Sequence, residues 1–253
     1  MELVFRERGE GPPLLLIHGL FGSADNLGGI ARLLEADFHT ISVDLRNHGR
    51  SPHSSIMNYS VMAEDVLGVL NCLEIERAHV LGHSMGGKTA MQLALDHPDR
   101  VNKLVVADIA PVSYEHHHAI IIEGMRAVAD AAPNSRNAAQ EILAGFEPEP
   151  AILTFLMTNW RRGENGTWGW RVNLDVIEQN YASIAAGNTG GPFEGGVLFL
   201  RGSASNYVRA EHREVILHLF PKATVRTIEG AGHWLHAEKS DMVARAVSRF
   251  LLA

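Results

Sequence analysis

The chain has 253 residues, 46% apolar and 20% charged, the make-up of one or two globular domains and not of a disordered or fibrous protein. Its 29 acidic and 22 basic side chains leave a formal charge of −7, which argues against a general nucleic-acid binder, because such a protein needs a phosphate-neutralising basic surface. The single cysteine, Cys72, rules out an intramolecular disulfide and points to a reducing, cytoplasmic setting. The first residues, MELVFRER, mix acids and arginines, so no secretory signal is expected. Apolar runs such as Leu14–Ile17 and Ala119–Ile122 are too short for a membrane span.

In chain order, short runs rich in Val, Ile and Leu alternate with helical patterns. Strands are predicted over Leu14–Ile17 and Thr40–Val43, then a helix over Tyr59–Leu73, with Val61, Met62, Val66, Val69 and Leu70 on its apolar stripe. Cys72 near the end of that helix is expected to be a small buried side chain. A strand at His79–Leu81, a helix over Ser84–His97 and a strand at Lys103–Ala107 follow. After the break from about 113 to 195 come a strand at Gly196–Leu200, a helix over Val208–Phe220, a strand at Thr224–Ile228 and a helix over Ser240–Leu252. Strands buried on both faces read as continuous apolar runs, and parallel strands need helical crossovers. The alternation therefore predicts an α/β fold with a mostly parallel sheet flanked by helices.

The break shows several helical segments and no clear strand. The part after 196 holds only two strands and two helices, too few to enclose a core of its own. The expected organisation is a core of residues 1–112 and 196–253, with 113–195 inserted as a helical cap.

The stretch that carries chemistry is Gly82-His83-Ser84-Met85-Gly86, a G-x-S-x-G pattern with an apolar strand before it and a helix after it. A serine held in a strained turn needs glycine neighbours so that strand and helix can approach closely, and the helix amide dipoles favour negative charge at its start. Ser84 is the expected nucleophile. A serine hydroxyl needs a base. Of the 14 histidines, His233 lies in a Gly-rich loop after an apolar strand and just before the last helix, where the order Ser, Asp, His places the base. His236 is the local competitor, read as a packing or capping residue, and His83 is read as an oriented structural side chain.

The base needs a carboxylate to fix its tautomer. The loop after Leu200, Arg201-Gly-Ser-Ala-Ser-Asn-Tyr, holds no Asp or Glu before Glu211. Asp108, at the carboxyl end of the preceding strand, takes the role. The alternative is that Asp108 caps a turn and Ser203, Ser205 or Asn206 orients the imidazole. The oxyanion hole needs two backbone amides. Met85 supplies one, and the loop His18-Gly19-Leu20-Phe21 supplies the other, from Leu20 first and Phe21 second.

Read together, His18-Gly-Leu-Phe-Gly-Ser23, Asp44-Leu-Arg-Asn-His-Gly-Arg-Ser51, Gly82-His-Ser-Met-Gly-Gly87 and Gly230-Ala-Gly-His-Trp234 resemble the α/β-hydrolase superfamily. The wording of Arg46-Asn-His-Gly49, Met85-Gly-Gly-Lys88 and Asp108-Ile-Ala-Pro111 is similar to the small YbfF-type bacterial esterases. The resemblance implies a cofactor-free serine carboxylesterase with a helical cap, acting on short- to medium-chain acyl esters through an acyl-enzyme. It places nucleophile, acid and base on Ser84, Asp108 and His233. One departure is Ser240, where such sequences usually carry proline.

Serine at 84 excludes the aspartate-nucleophile epoxide hydrolases and haloalkane dehalogenases. Acyl-CoA thioesterases, carbon–carbon hydrolases and cofactor-free haloperoxidases stand as alternatives, and a non-catalytic binder of the same fold stands last. Phe21 and Trp234 are the expected substrate-binding residues. Trp160, Trp168, Trp170, Met125 and Phe155 either line an acyl pocket or form the cap's own packing. The His116-His-His118 run is expected to be a solvated helix end and not a metal site.

Overall fold

A computed structural model of the protein describes residues 1–163 and 165–253. Its central sheet has seven strands: β1 (Phe5–Arg8), β2 (Pro13–Ile17), β3 (His39–Val43), β4 (Ala78–His83), β5 (Val101–Ala107), β8 (Gly196–Gly202) and β9 (Ala223–Ile228). Their spatial order is β1-β3-β2-β4-β5-β8-β9. All neighbours pair in parallel except β1 and β3. The period-two alternation of strand side chains splits the core into two layers. Leu15, Ile17, Val80, Val106 and Phe199 face α2 (Tyr59–Cys72) and α3 (Met85–Asp96). Leu14, Leu16, Leu81, Val105 and Leu200 face α1 (Gly28–Leu34), α10 (Leu235–Glu238) and α11 (Ser240–Leu252).

The six strands expected from the apolar runs are all present. Strand β1 carried no such signal. It is a charged edge strand, Phe-Arg-Glu-Arg, which completes its ladder against β3 while exposing three of its four side chains. Helix α1 also lay outside the sequence reading, and α9 (Arg213–Leu219) is shorter than the helical pattern around it. Cys72 is exposed, contrary to expectation, because the buried stripe of α2 ends at Leu70. Ser240 opens α11 at the first helical position, a site that tolerates proline and serine alike.

Between β5 and β8 the chain forms α4 (Ala119–Ala131), α5 (Arg136–Ala144), α6 (Pro150–Met157), α7 (Leu174–Gln179) and α8 (Tyr181–Ala185). The expectation of no strand here is corrected. Trp160–Arg162 (β6) and Trp168–Trp170 (β7) pair antiparallel as a small hairpin. Three-residue strands with Arg and Gly between tryptophans give no apolar run to read.

Helix α3 holds both stems of this inserted segment. The Lys88 ammonium, 1% exposed, donates to the carbonyls of Val112 (2.6 Å), just before the segment, and Ala186 (2.5 Å), near its end. It also lies 4.8 Å from the centre of the Tyr114 ring. Gln92 Nε2 donates to Thr189 O (3.0 Å), and Asn188 Nδ2 donates to Lys88 O (2.8 Å). Burial pulls the Lys88 pKa from 10.5 down to about 7. Above pH 7 the unfolded chain keeps a proton that the folded chain releases, so this group's cost to stability is full below pH 7 and fades towards pH 10.5. Denaturant unfolding from pH 7 to 10 should therefore show the wild type gaining stability relative to Lys88→Met. Parallel pH profiles for the two proteins would contradict this.

Candidate active site

Strand β4 ends at His83 and α3 begins at Met85, leaving Ser84 alone to reverse the chain. Ser84 does so with φ 53° and ψ −121°, a region unfavourable to any residue with a Cβ. The turn closes because its neighbours are bare. A Cβ on Gly82 would come within 2.1 Å of Gly86 O, and one on Gly86 within 2.3 Å of Ile17 O and His18 O. Sheet pairing continues one residue past the strand ends. Ser84 N donates to Ala107 O (3.0 Å), and Asp108 N donates to Leu200 O (2.8 Å). Ser84 and Asp108 thus stand side by side at the carboxyl edge of the sheet.

His233 reaches both from the loop between β9 and α10. The Ser84 hydroxyl lies 3.0 Å from His233 Nε2, and His233 Nδ1 lies 2.8 Å from Asp108 Oδ2. An ionised carboxylate only accepts, so Nδ1 carries the ring proton and Nε2 is left free to accept from the serine. Asp108 is 0% exposed and is held by two further donors, Gly202 N to Oδ1 (2.9 Å) and the Ser205 hydroxyl to Oδ2. Of the two alternatives, it is Asp108 that meets the imidazole, while Ser205 meets Asp108 and not the ring. Tyr207 from the same loop stacks on the imidazole, with ring centres 4.1 Å apart and an interplanar angle of 25°. Sequence reasoning passed over Tyr207, which carries no charge and sits in no motif.

The other histidines near the site have structural work. His83 Nε2–H donates to the His233 carbonyl (2.9 Å), and its ring packs 4.2 Å from that of His236. Burial holds His83 neutral and lowers His236 to about 4. His236 packs within the short helix α10 and neither of the triad-like bonds reaches it.

The loops after β2 and β3 are cross-braced. His18 Nε2 accepts from Leu45 N (3.0 Å), and His48 Nε2 accepts from Phe21 N (3.2 Å). Each ring donates its Nδ1 proton to a nearby carbonyl, Gly19 O and Arg46 O respectively. Asp44 joins the two loops by accepting from Ala24 N (2.7 Å). The Phe21 amide is therefore already occupied. The amides of Leu20 and Met85 have no partner among the described residues.

Above Ser84 lies a cavity of about 350 Å³, walled by Leu20, Phe21, Ile152, Phe155, Leu156 and Trp234. Phe21 and Trp234 both border it, as does Phe155, whose ring centre lies 6.0 Å from that of Trp234. The three cap tryptophans pack on one another instead. Trp160 is buried against Trp168 and Trp170, and Trp170 Nε1 donates to the Met125 carbonyl (2.8 Å). His116 and His117 are exposed, as expected of a solvated run, but His118 is not. It borders the cavity, its Nδ1 lies 2.6 Å from the Tyr181 hydroxyl, and burial lowers its pKa to about 4. Among the described residues no group of three or more His, Cys, Asp or Glu side chains is placed to hold a metal ion, and no helix is long and apolar enough to cross a membrane.

A family model for the alpha/beta hydrolase fold matches residues 12–240. The chain belongs to the alpha/beta hydrolase family. Esterase YbfF of Escherichia coli (strain K12) is 41% identical over 240 residues, covering 94% of this chain and 92% of that protein. The sn-1-specific diacylglycerol lipase ABHD11 of Mus musculus is 39% identical over 249 residues, covering 95% of this chain and 81% of that one. The solved structure of a marine microorganism esterase superposes with a TM-score of 0.96 at 40% identity, covering 98% of this chain and 99% of that one.

In this hydrolase the bracing histidines are fixed as neutral Nδ1–H tautomers, because each Nε2 faces an amide that can only donate. Burial lowers His18 to about 4, and burial together with His18 lowers His48 to about 3. Nitrogen-15 NMR of the histidine rings should find both in that tautomer and not titrating between pH 5.5 and 8. A midpoint for either inside that window would contradict the bracing scheme.

Proposed function

We propose that the protein is a serine carboxylesterase acting on short- to medium-chain acyl esters, with Ser84 as nucleophile, His233 as base and Asp108 as acid. The observation that carries this reading is the continuous chain of two hydrogen bonds, 3.0 and 2.8 Å, from Ser84 Oγ through the His233 ring to Asp108. As Ser84 Oγ bonds to the ester carbonyl carbon, its proton passes to His233 Nε2. The carbonyl oxygen becomes an oxyanion and takes hydrogen bonds from the Leu20 and Met85 amides, with the N-terminus of α3 adding its field. The tetrahedral centre collapses, the alcohol leaves with the proton from His233, and the acyl group stays on Ser84. Water then repeats the sequence, giving up its proton to His233 and releasing the carboxylic acid. Asp108 stays ionised throughout, and the Tyr207 ring face favours the transient imidazolium.

A cavity of about 350 Å³ is at the small end of ligand sites, and its surface is mostly apolar although His117, His118 and Glu147 also line it, which suits a short acyl chain better than a long one. Phe21 and Trp234 form walls of that pocket. In this reading 1–112 and 196–253 are the catalytic core and 113–195 is the lid that dries the site. A single thiol, Cys72, suits a reducing cytoplasm.

Steady-state kinetics on p-nitrophenyl esters test the reading. Ser84→Ala should lose roughly 10⁵–10⁶-fold in kcat, a barrier increase of about 7–8 kcal/mol. Asp108→Asn should lose about 10³–10⁴-fold with KM little changed, through the wrong imidazole tautomer. Across acyl lengths, kcat/KM should peak at about four to eight carbons and fall steeply by palmitate. Full activity in Ser84→Ala would end the proposal. A preference for acyl-CoA over every oxygen ester would turn it towards a thioesterase.

A further inference from the structure

Phe21 is a non-glycine residue held at φ 59°, directly after Leu20. A left-handed Phe is strained and persists only where its surroundings over-determine it. Two side chains do so from opposite sides. His48 Nε2 accepts from the Phe21 amide (3.2 Å), and Asn159 Nδ2 donates to the Phe21 carbonyl (2.6 Å). Asn159 belongs to the lid, between α6 and β6, and is 2% exposed. Its own backbone is tied down on both sides, with its N–H on Leu156 O (3.0 Å) and its carbonyl accepting from Arg171 N (2.9 Å). A second lid contact reaches the same assembly. Asn173 N donates to Asn47 O (2.9 Å), and Asn47, itself at φ 64°, precedes His48.

We propose that Asn159 is a positioning residue through which the seated lid holds the Phe21 peptide in its left-handed turn and so aims the Leu20 amide at the oxyanion. The inference rests on the reading of Leu20 as an oxyanion donor and adds to it that the lid, and not the core alone, sets that donor. Without Asn159 the Phe21 carbonyl loses its buried partner, and the strained turn relaxes towards a conformation that turns the Leu20–Phe21 peptide and, through Leu20, displaces the Gly19–Leu20 peptide that carries the Leu20 amide. The substrate pocket walls stay in place, so ground-state binding is kept while stabilisation of the tetrahedral species weakens.

The test compares wild type with Asn159→Ala and with Asn159→Leu, which loses the donor but keeps the volume. Three quantities are read for each: kcat and KM on p-nitrophenyl butyrate, the inhibition constant of an alkyl trifluoromethyl ketone that forms a tetrahedral adduct with a serine, and the melting temperature. Removing an oxyanion donor costs roughly a hundred- to a thousandfold, and misaiming one costs less. The expected result is a loss of about ten- to a hundredfold in kcat, with KM within about threefold and an equal loss in ketone affinity. His48→Gln, whose Oε1 can accept from the Phe21 amide, should keep more activity than His48→Leu. Folded Asn159 variants with wild-type kcat and ketone affinity would overturn the proposal while leaving the esterase reading intact. Should both fail to fold, Asn159→Asp, which keeps the shape but loses the donor, takes their place, and wild-type kcat and ketone affinity in it would overturn the proposal. A wild type that neither hydrolyses the ester nor binds the ketone would overturn both readings.

Discussion

The reversal of the chain at Ser84 is the constraint from which the site follows. A parallel strand delivers its last residue to the sheet edge, and a helix must start at once if it is to pack back on the same strand. One residue in a left-handed turn achieves this, and only glycines at 82 and 86 let the two arms come so close. The same closeness fixes more than the serine. Gly86 lies against Ile17 O and His18 O, which brings the end of β2, and with it the Gly19–Leu20 loop, beside Ser84. Ser84, the start of α3 and the Gly19–Leu20 loop are therefore set by one backbone contact.

The electrostatics assign one task to each imidazole. His18, His48, His83 and His236 are buried and held neutral by burial, with three of them occupied in bonds to the backbone. His233, unlike these four, meets a carboxylate. A buried carboxylate with three donors stays an acceptor, which fixes the His233 tautomer and leaves Nε2 facing the serine. Asp108 follows β5, and the loop after β8 supplies Ser205 to its carboxylate and the Tyr207 ring to the His233 imidazole.

The parallel sheet was legible because buried strands such as Leu14–Ile17 are continuous apolar runs. Ser84, Asp108 and His233 could be singled out in the sequence because each has a steric or chemical signature: flanking glycines, a lone carboxylate at a strand end beside an acid-free loop, and a Gly-rich loop after a strand. Strand β1 and the Trp160–Trp170 hairpin were not, because an exposed edge strand and three-residue strands have no apolar period. Asn159 was equally hidden. Its partner is a backbone carbonyl 138 residues away, and nothing in a local pattern marks an amide for such a contact. His48 lay inside a motif quoted for family resemblance, yet its bond to Phe21 becomes visible only when the two loops are folded together.

In the proposed mechanism His233 makes the Ser84 hydroxyl nucleophilic. The most direct measurement is peptide mass mapping after brief exposure of the folded protein to a fluorophosphonate, alongside its His233→Ala variant. One adduct is expected, on the peptide carrying Ser84, with labelling slowed on the order of a thousandfold or more when His233 is removed. An adduct on another residue, or equal labelling rates in the two proteins, would contradict it.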